Sequence, residues 1–464
     1  MAAPARYLEH VERLASLIQD GTLEAGSRLM AHRDYADEHG IAAATAARVY
    51  RELIDRGLAI GEVGRGTFVR TPETQAAAEF SQIGEREPGL IDLAFNYPVL
   101  PEQAAQLRHA LRNLSDKGDL STLLDYHPHP GRREDREMAA KWFSTASAPI
   151  DAAGIMVCGG SQHALSVILA SLVTRRDLVA VESLTYPGFK SAAKLLGIHL
   201  AGVPIDDDGI MPDALDAVCR KHAGRVRIVY TMPTVHNPTG SVMPLARRLA
   251  LIEVARRHGL LLVDDSVYGF LEASPPPTLR SLAPDCVIEI HSLSKSAAPG
   301  LRVGYLVAPE RFRERLHEGL RATLWSASAM TAALATAWMR DGTLAHWIVA
   351  KRDEARLRQD LARRILGAWP IKAHHTSFHL LLDLPKHCRP DDLVFALARQ
   401  GVTITPLAAF AAPDVSANRT IRIAMAAPAT IRQLEAGLLA VAQTLNGPRQ
   451  RDALQTARNA RPSP

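Results

Sequence analysis

Cysteine is scarce: the 464 residues hold four, Cys158, Cys219, Cys286 and Cys388. They are scattered without metal-ligand spacing, which excludes a disulfide scaffold or a cysteine-zinc module and suits a reducing cytosol. Three of them lie in apolar runs, where core filling is the expected role. No apolar run approaches the roughly 20 residues of a membrane span. The first residues, through Arg6, lack the apolar stretch of a secretion signal, so a cytoplasmic location is expected. Large charge of one sign is also missing. A net charge of +5 does not announce nucleic-acid binding; residues 1–72 carry nine Lys+Arg against ten Asp+Glu, so any contact with DNA there must come from local placement of arginines. His163, His236, His374 and His375 lack partners at metal-ligand spacing, and no metal is expected. What remains, 47% hydrophobic and 22% charged residues over a long chain, is the profile of a globular protein with two or more domains.

The stretch that organises the rest runs from Ser292 to Tyr305 and follows the apolar, strand-like run Cys286–Ile290. Lys295 stands just past that strand. An ammonium there must be exposed, paired or made neutral. Ser292 and Ser294 beside it, and Arg302 one short loop later, form an anion cradle in outline. Lysine is also the side chain that forms a Schiff base with an aldehyde cofactor.

The first seventy residues read as helix, helix, short turn, helix and a two-stranded wing. Leu8, Val11, Leu14, Ala15, Leu17 and Ile18 recur at helical spacing. A second helix is expected over 31–39, closed by Gly40, and a third over 43–56, with Ala46, Val49, Tyr50 and Leu53 on one face. Residues 58–60 and 64–69 then make two short strands with a glycine-rich tip. This is the winged helix-turn-helix order, in which the last helix enters the major groove. On Gly26–Leu29, Arg33, Ala36, Gly40-Ile41, Thr45, Val49-Tyr50, Leu53, Gly57-Leu58 and Gly64–Val69, the segment resembles the DNA-binding domain of GntR-type transcription regulators. Met30-Ala31 and Ala42-Ala43 depart from the family, which has Pro-Ser and Ser-Arg there; the second change removes a contact-making arginine. The remaining candidates for DNA are Arg28, Arg33, Thr45, Arg48, Arg51, Arg65 and Thr67, since arginine can fork onto guanine or phosphate and threonine can bond phosphate.

Residues 72–89 have little apolar periodicity and read as a linker, and 447–464, with four arginines and three prolines, as a disordered tail. Between them, 90–446 alternates short β-rich runs with helical ones, which means α/β with a mostly parallel sheet. Ligands bind such sheets beyond the carboxyl ends of the strands, where the polar motifs fall. These are Gly159–Leu165, a glycine turn opening a helix; Thr185–Gly188; His236–Gly240; Leu262–Tyr268, with Asp264 and Asp265 ending a buried strand; and Lys295 thirty residues later.

In this order the set resembles the fold-type-I pyridoxal-phosphate enzymes, the class I and II aminotransferases, over roughly 90–445. The resemblance implies pyridoxal 5′-phosphate as cofactor and Lys295 as its Schiff-base lysine. It implies Asp265, three residues before Tyr268, on the pyridine nitrogen; Tyr268 and Asn237 on the ring hydroxyl; and Tyr186 stacked on the ring. Ser161, Gln162, Ser292, Ser294 and Arg302 would hold the phosphate. Tyr126 would reach the phosphate of a partner subunit, implying a dimer with shared sites, and Arg422, in Ile421–Ala424, would grip an effector carboxylate.

A winged helix-turn-helix joined to such a domain resembles the MocR group of GntR regulators. That implies a head-to-tail homodimer on double-stranded DNA, sensing an amino compound through external aldimine formation at Lys295. The alternatives are an active aminotransferase with a residual DNA-binding arm, and regulation by the cofactor alone. The wing favours regulation, because an enzyme has no use for it.

Overall fold

The computed structural model describes residues 4–19, 22–24, 26–55, 58–62, 66–69, 89–386, 388–413, 415 and 419–446. The expected tail and all but the last residue of the expected linker lie outside these, as do Gly64 and Arg65 of the wing. The chain forms two compact units, 1–85 and 86–464.

In the first unit, α1 (Pro4–Gln19), α2 (His32–Glu38) and α3 (Ala43–Asp55) precede the antiparallel pair β1 (Ala59–Glu62) and β2 (Gly66–Val69). The spacing of Ala46, Val49, Tyr50 and Leu53 puts all four on one stripe of α3, and all are buried against Val11, Leu14, Tyr35 and Ala36. Burying each large apolar side chain contributes about 1.5–3 kcal/mol, which holds three short helices together. Tyr50 donates its hydroxyl to the Met30 carbonyl at 2.8 Å. Gly40 takes a left-handed φ of +61° at the end of α2, as its position predicts. Residues before α2 join the hairpin through an isolated antiparallel bridge, Arg28 to Phe68: the Leu29 N–H donates to the Thr67 carbonyl and the Val69 N–H to the Ser27 carbonyl, both at 2.8 Å.

The second unit is built on a seven-stranded sheet. Its strands are β3 (Ile155–Cys158), β4 (Leu178–Glu182), β5 (His199–Val203), β6 (Val226–Thr231), β7 (Leu261–Asp265), β8 (Val287–Ser292) and β9 (Gly304–Val307), in the order β3-β9-β8-β7-β6-β4-β5. Only β9 runs against its neighbours. Continuous apolar runs are what a sheet buried on both faces requires. Val263 and its register partner Tyr230 face one layer, packed with Leu165, Ile168 and Leu316; Leu262 and Val229 face the other, packed with Leu251 and Ala255.

A second sheet, antiparallel, was not separable in the sequence. Its strands β10 (Ile371–Lys372), β11 (His379–Asp383), β12 (Thr405–Pro406) and β13 (Thr420–Ala424) lie in the order β10-β11-β13-β12. Two of them are only two residues long, too short for alternation to register. Arg422 sits in β13, buried.

Candidate functional site

The register of the large sheet brings the polar motifs to one edge. Cys158 at the end of β3 pairs with Gly304, and Gly304 with Ser292 at the end of β8; Ile290 of β8 pairs with Asp265 at the end of β7. The glycine turn, the serine pair and the carboxylate therefore line up on adjacent strands. Past β8, a single helical turn, α5 (Leu293–Ser296), carries Lys295. Ser292 caps it, its hydroxyl accepting from the Ser294 N–H at 3.2 Å and donating to the Ser294 hydroxyl at 3.1 Å.

Lys295 Nζ donates to the Asn96 carbonyl at 2.6 Å and stands 6.0 Å from the ring centres of Tyr97 and Tyr268. Burial, then the positive charges of Arg422 and Arg302, lower its ammonium to about 8. A substantial neutral fraction at physiological pH is what a nucleophilic lysine needs.

Asp265 is 2% exposed, accepting from the Tyr230 hydroxyl at 2.7 Å and the Val267 N–H at 3.2 Å. Burial raises it to about 6. Among the described residues it forms no ion pair. Strand alternation separates it from Asp264, which turns to the other face and accepts from the Ser266 hydroxyl and the Leu279 N–H.

Tyr268 is buried, and its hydroxyl accepts from the Asn96 amide at 3.3 Å. Asn237, also buried, accepts on Oδ1 from Arg422 at 3.1 Å. Arg422 also donates to the Ala94 carbonyl, and its guanidinium stands 4.9 Å over the Phe410 ring. Burial lowers it to about 10.

At the other end, α4 (Ser161–Leu172) begins with Ser161 and Gln162. Gly160 caps it at φ +87°, and a Cβ there would fall 2.7 Å from a guanidinium nitrogen of Arg302, so only glycine leaves this cradle open. Arg302 is exposed, in left-handed conformation, and donates to the Gly159 carbonyl at 3.2 Å. The Gln162 amide donates to the Gly188 carbonyl at 2.8 Å. Gly188 has no room for a Cβ, which would meet both Gln162 Oε1 and the Tyr186 ring at 2.4 Å. Tyr186 is half-buried and raised to about 12 by burial first and then by Asp265.

The structure thus brings together ten of the eleven expected cofactor residues and Arg422. The eleventh, Tyr126, is 89% exposed, its ring 5.7 Å from Trp325. Sequence reasoning missed Asn96, Tyr230 and Lys351. Tyr230 ends an ordinary apolar strand, and only register places it beside Asp265; Asn96 lies between Phe95 and Tyr97 far from any motif. His236, read as a surface or pocket residue, is buried, 3.2 Å from Glu182. No group of metal ligands occurs among the described residues.

Of the arginines and threonines read as DNA contacts, Arg28, Arg33, Arg48 and Arg51 are exposed and Thr45 half-buried. Arg48 stacks 4.1 Å over the Tyr7 ring. Thr67 is corrected: alternation along β2 turns it inward with Val69, and it is 7% exposed. Arg65 lies outside the described residues.

Comparison with known proteins agrees with this geometry. The family model for aminotransferase class I and II matches residues 88–440, and the chain belongs to that family. It is 27% identical over 432 residues to YdeF of Bacillus subtilis, named an uncharacterized HTH-type transcriptional regulator, covering 92% of each chain. To YjiR of Escherichia coli, named in the same way, it is 29% identical, covering 67% of this chain and 70% of that one. It resembles an archaeal alanine:glyoxylate aminotransferase structure with a TM-score of 0.72 at 24% identity, covering 81% of this chain and 95% of the other. A Pyrococcus horikoshii kynurenine aminotransferase, solved in complex with PMP, matches with a TM-score of 0.70 at 25% identity, covering 77% and 91%. Regulator relatives over as much as 92% of the chain and an aminotransferase family match over residues 88–440 are consistent with MocR-type GntR regulators.

The residues present fit pyridoxal 5′-phosphate, the cofactor of this fold. A buried carboxylate without a cationic partner suits a protonated ring nitrogen. A helix N-terminus with hydroxyls and Arg302 suits a phosphate, and a lysine of lowered pKa between them suits an aldehyde.

Proposed function

We propose that the chain is a pyridoxal-phosphate-dependent transcription regulator: the first unit is a winged helix-turn-helix that binds an operator, and the second senses an amino compound. Similarity to HTH-type regulators over 92% of the chain carries this reading. When bound, the cofactor supplies an aldehyde that links to one amine at a time. Lys295 would hold that link at rest; burial, which lowers its ammonium to about 8, leaves a neutral fraction of its amine near neutral pH. Asp265 would hold the ring-nitrogen proton, and Tyr268 and Asn237 would orient the ring hydroxyl. Tyr186 would cover the ring and keep water from its face. Ser161, Gln162, Ser292, Ser294 and Arg302 would anchor the phosphate. Arg422, already fixed by Asn237 and the Ala94 carbonyl, offers a fork to a carboxylate or sulfonate on the incoming amine.

The outward Tyr126 supports a head-to-tail homodimer in which each copy completes the other's phosphate site. Arg28, Arg33, Thr45, Arg48 and Arg51 are the groove and phosphate contacts available among the described residues of the first unit, with 1–71 as the DNA-binding domain and 90–446 as the sensor, in the cytoplasm. Amine exchange shifts DNA affinity by as much as the amine discriminates between the two arrangements of the dimer. The test pairs visible absorbance of the cofactor, with and without candidate amines, with mobility shift of genomic fragments bound by the protein. An amine-dependent change in both supports the reading. Full conversion of amines to keto acids with no fragment bound would replace it with an aminotransferase.

A further inference from the structure

A second lysine lies buried beside the first. Helix α6 (Thr343–Leu366) buries Leu344, Trp347, Lys351, Ala355 and Arg358 along one stripe, and Lys351 is 0% exposed at its centre. Its Nζ donates to the main-chain carbonyl of Lys295 at 3.0 Å and to that of Ala297. The Gln103 amide also donates to Ala297, at 3.0 Å. These are carbonyls at the end of α5, which a helix of one turn leaves without internal partners. Among the described residues Lys351 makes no ion pair. The charges that face it are Lys295 from α5 and Glu102 from the start of the Gln103–Lys117 helix; Arg352, next to it on α6, turns away to the Phe270 carbonyl. An apolar side chain would fill this stripe at less cost, since a buried unpaired ammonium is expensive.

We propose that Lys351 is a positioning residue for Lys295: it fastens α6 to the turn that aims the Lys295 amine, and its charge is set against the charge on that amine. The second half rests on the reading of Lys295 as the cofactor lysine. Burial first, and then repulsion from Lys295, lowers Lys351 to about 7. At neutral pH the Lys295 charge therefore decides whether Lys351 carries a proton, and with it the strength of its grip on the turn. A cofactor bound to Lys295 in place of its ammonium would remove that repulsion, and the grip would tighten. The state of Lys295 thereby reaches a 24-residue helix.

The test uses full-length protein freed of cofactor. Hydrogen exchange, corrected for its intrinsic pH dependence, gives the protection of residues 293–297 and the pH midpoint at which it is lost. Lys295→Met removes the repelling charge and should raise that midpoint by about half to one pH unit. Lys351→Gln keeps a donor that does not titrate, so protection should be retained and its pH dependence lost. Lys351→Met loses donor and charge and should speed exchange of the turn by about tenfold. A wild-type midpoint in Lys295→Met overturns the proposal, and so does wild-type exchange in a folded Lys351→Met; if the Lys351→Met variant does not fold, the Lys295→Met midpoint decides alone. Because no cofactor is present, a protein that takes up none would defeat the cofactor reading and leave this result standing.

Discussion

The two units use cationic side chains in opposite surroundings. In the large unit Lys351 and Arg422 are buried and Lys295 half-buried, each held by main-chain carbonyls, and burial moves all three pKa values down. In the first unit Arg28, Arg33, Arg48 and Arg51 are exposed, Arg28 on a single bridge residue and the others on small helices. A buried charge is expensive, so its surroundings are specified residue by residue and a chemical role follows from geometry. An exposed arginine is nearly free to place, so its role follows only from what docks on it. Site-directed changes in the large unit should therefore act almost as switches, and those in the first unit by increments.

The largest effect is expected from Lys295→Ala. It should abolish the visible absorbance of the cofactor and any borohydride-fixable label, with the response of DNA binding to amines lost and much of the basal mobility shift retained. A variant that still carries a fixable yellow adduct would move the cofactor lysine elsewhere, and Lys351 would be the first place to look.

Asp265→Asn comes next. Removing one partner of a buried ion pair costs about 3–5 kcal/mol, so cofactor affinity should fall by a hundredfold or more by equilibrium titration. The cofactor-free protein should respond in the other direction. Asp265 is raised to about 6, so its native state binds the extra proton. The associated stability is present below the unfolded value, near 4, and is lost as pH rises through 6, on the order of 3 kcal/mol. Thermal unfolding of cofactor-free protein should therefore show wild type losing stability relative to Asp265→Asn between pH 4 and 7. Lys295, lowered to about 8, has the reverse sign: its contribution is regained only as pH rises from 8 toward the ordinary lysine value. Stabilisation by added cofactor should then be greatest near pH 7–8, where both penalties apply.

Arg422→Met removes a fork while leaving the cofactor attached. Charge-assisted hydrogen bonds contribute about 1.5–3 kcal/mol, so half-saturation by an amine that bears a carboxylate or sulfonate should rise about ten- to a hundredfold, with little change for an amine lacking an acid group. Equal losses for both would show that Arg422 acts through Asn237 on the ring instead.

The same contrast explains what could be read from sequence. Lys295, Asp265, Tyr268, Asn237 and the glycine turn stood out in the sequence because each lies at or just beyond the carboxyl end of a strand, where polar residues cluster around a ligand. Alternation along β7 turns Asp265 to Tyr230 and Asp264 to Ser266 and Leu279 on the other face. Asn96, Tyr230 and Lys351 were not legible because nothing local marks them: Tyr230 and Lys351 interrupt apolar patterns without breaking their period, and Asn96 enters the site from 199 residues before Lys295. In the first unit the helices were legible from their stripes, but the inward turn of Thr67 was not, since a four-residue strand next to a glycine tip gives no phase until Val69 is seen to be buried.

The smallest effects, and the ones that sharpen the comparison most finely, separate Arg48 from Arg51. Both lie on the exposed side of α3, opposite Val49 and Leu53. Loss of either phosphate-type contact should weaken binding across DNA sequences and reduce the salt dependence of affinity by about one ion. Arg48, however, also lies 4.1 Å over the Tyr7 ring, which ties α3 to α1. A stacking of this kind contributes about 0.5–1 kcal/mol at an exposed site. Arg48→Ala should therefore lower the unfolding midpoint of the first unit as well as DNA affinity, and Tyr7→Ala should reproduce the first loss without the full second one. Arg51→Ala should weaken DNA binding alone. If Arg51→Ala leaves both affinity and salt slope unchanged while Arg48→Ala changes only stability, this face of α3 does not meet DNA, and the groove contacts must be sought at Arg28 and Arg33.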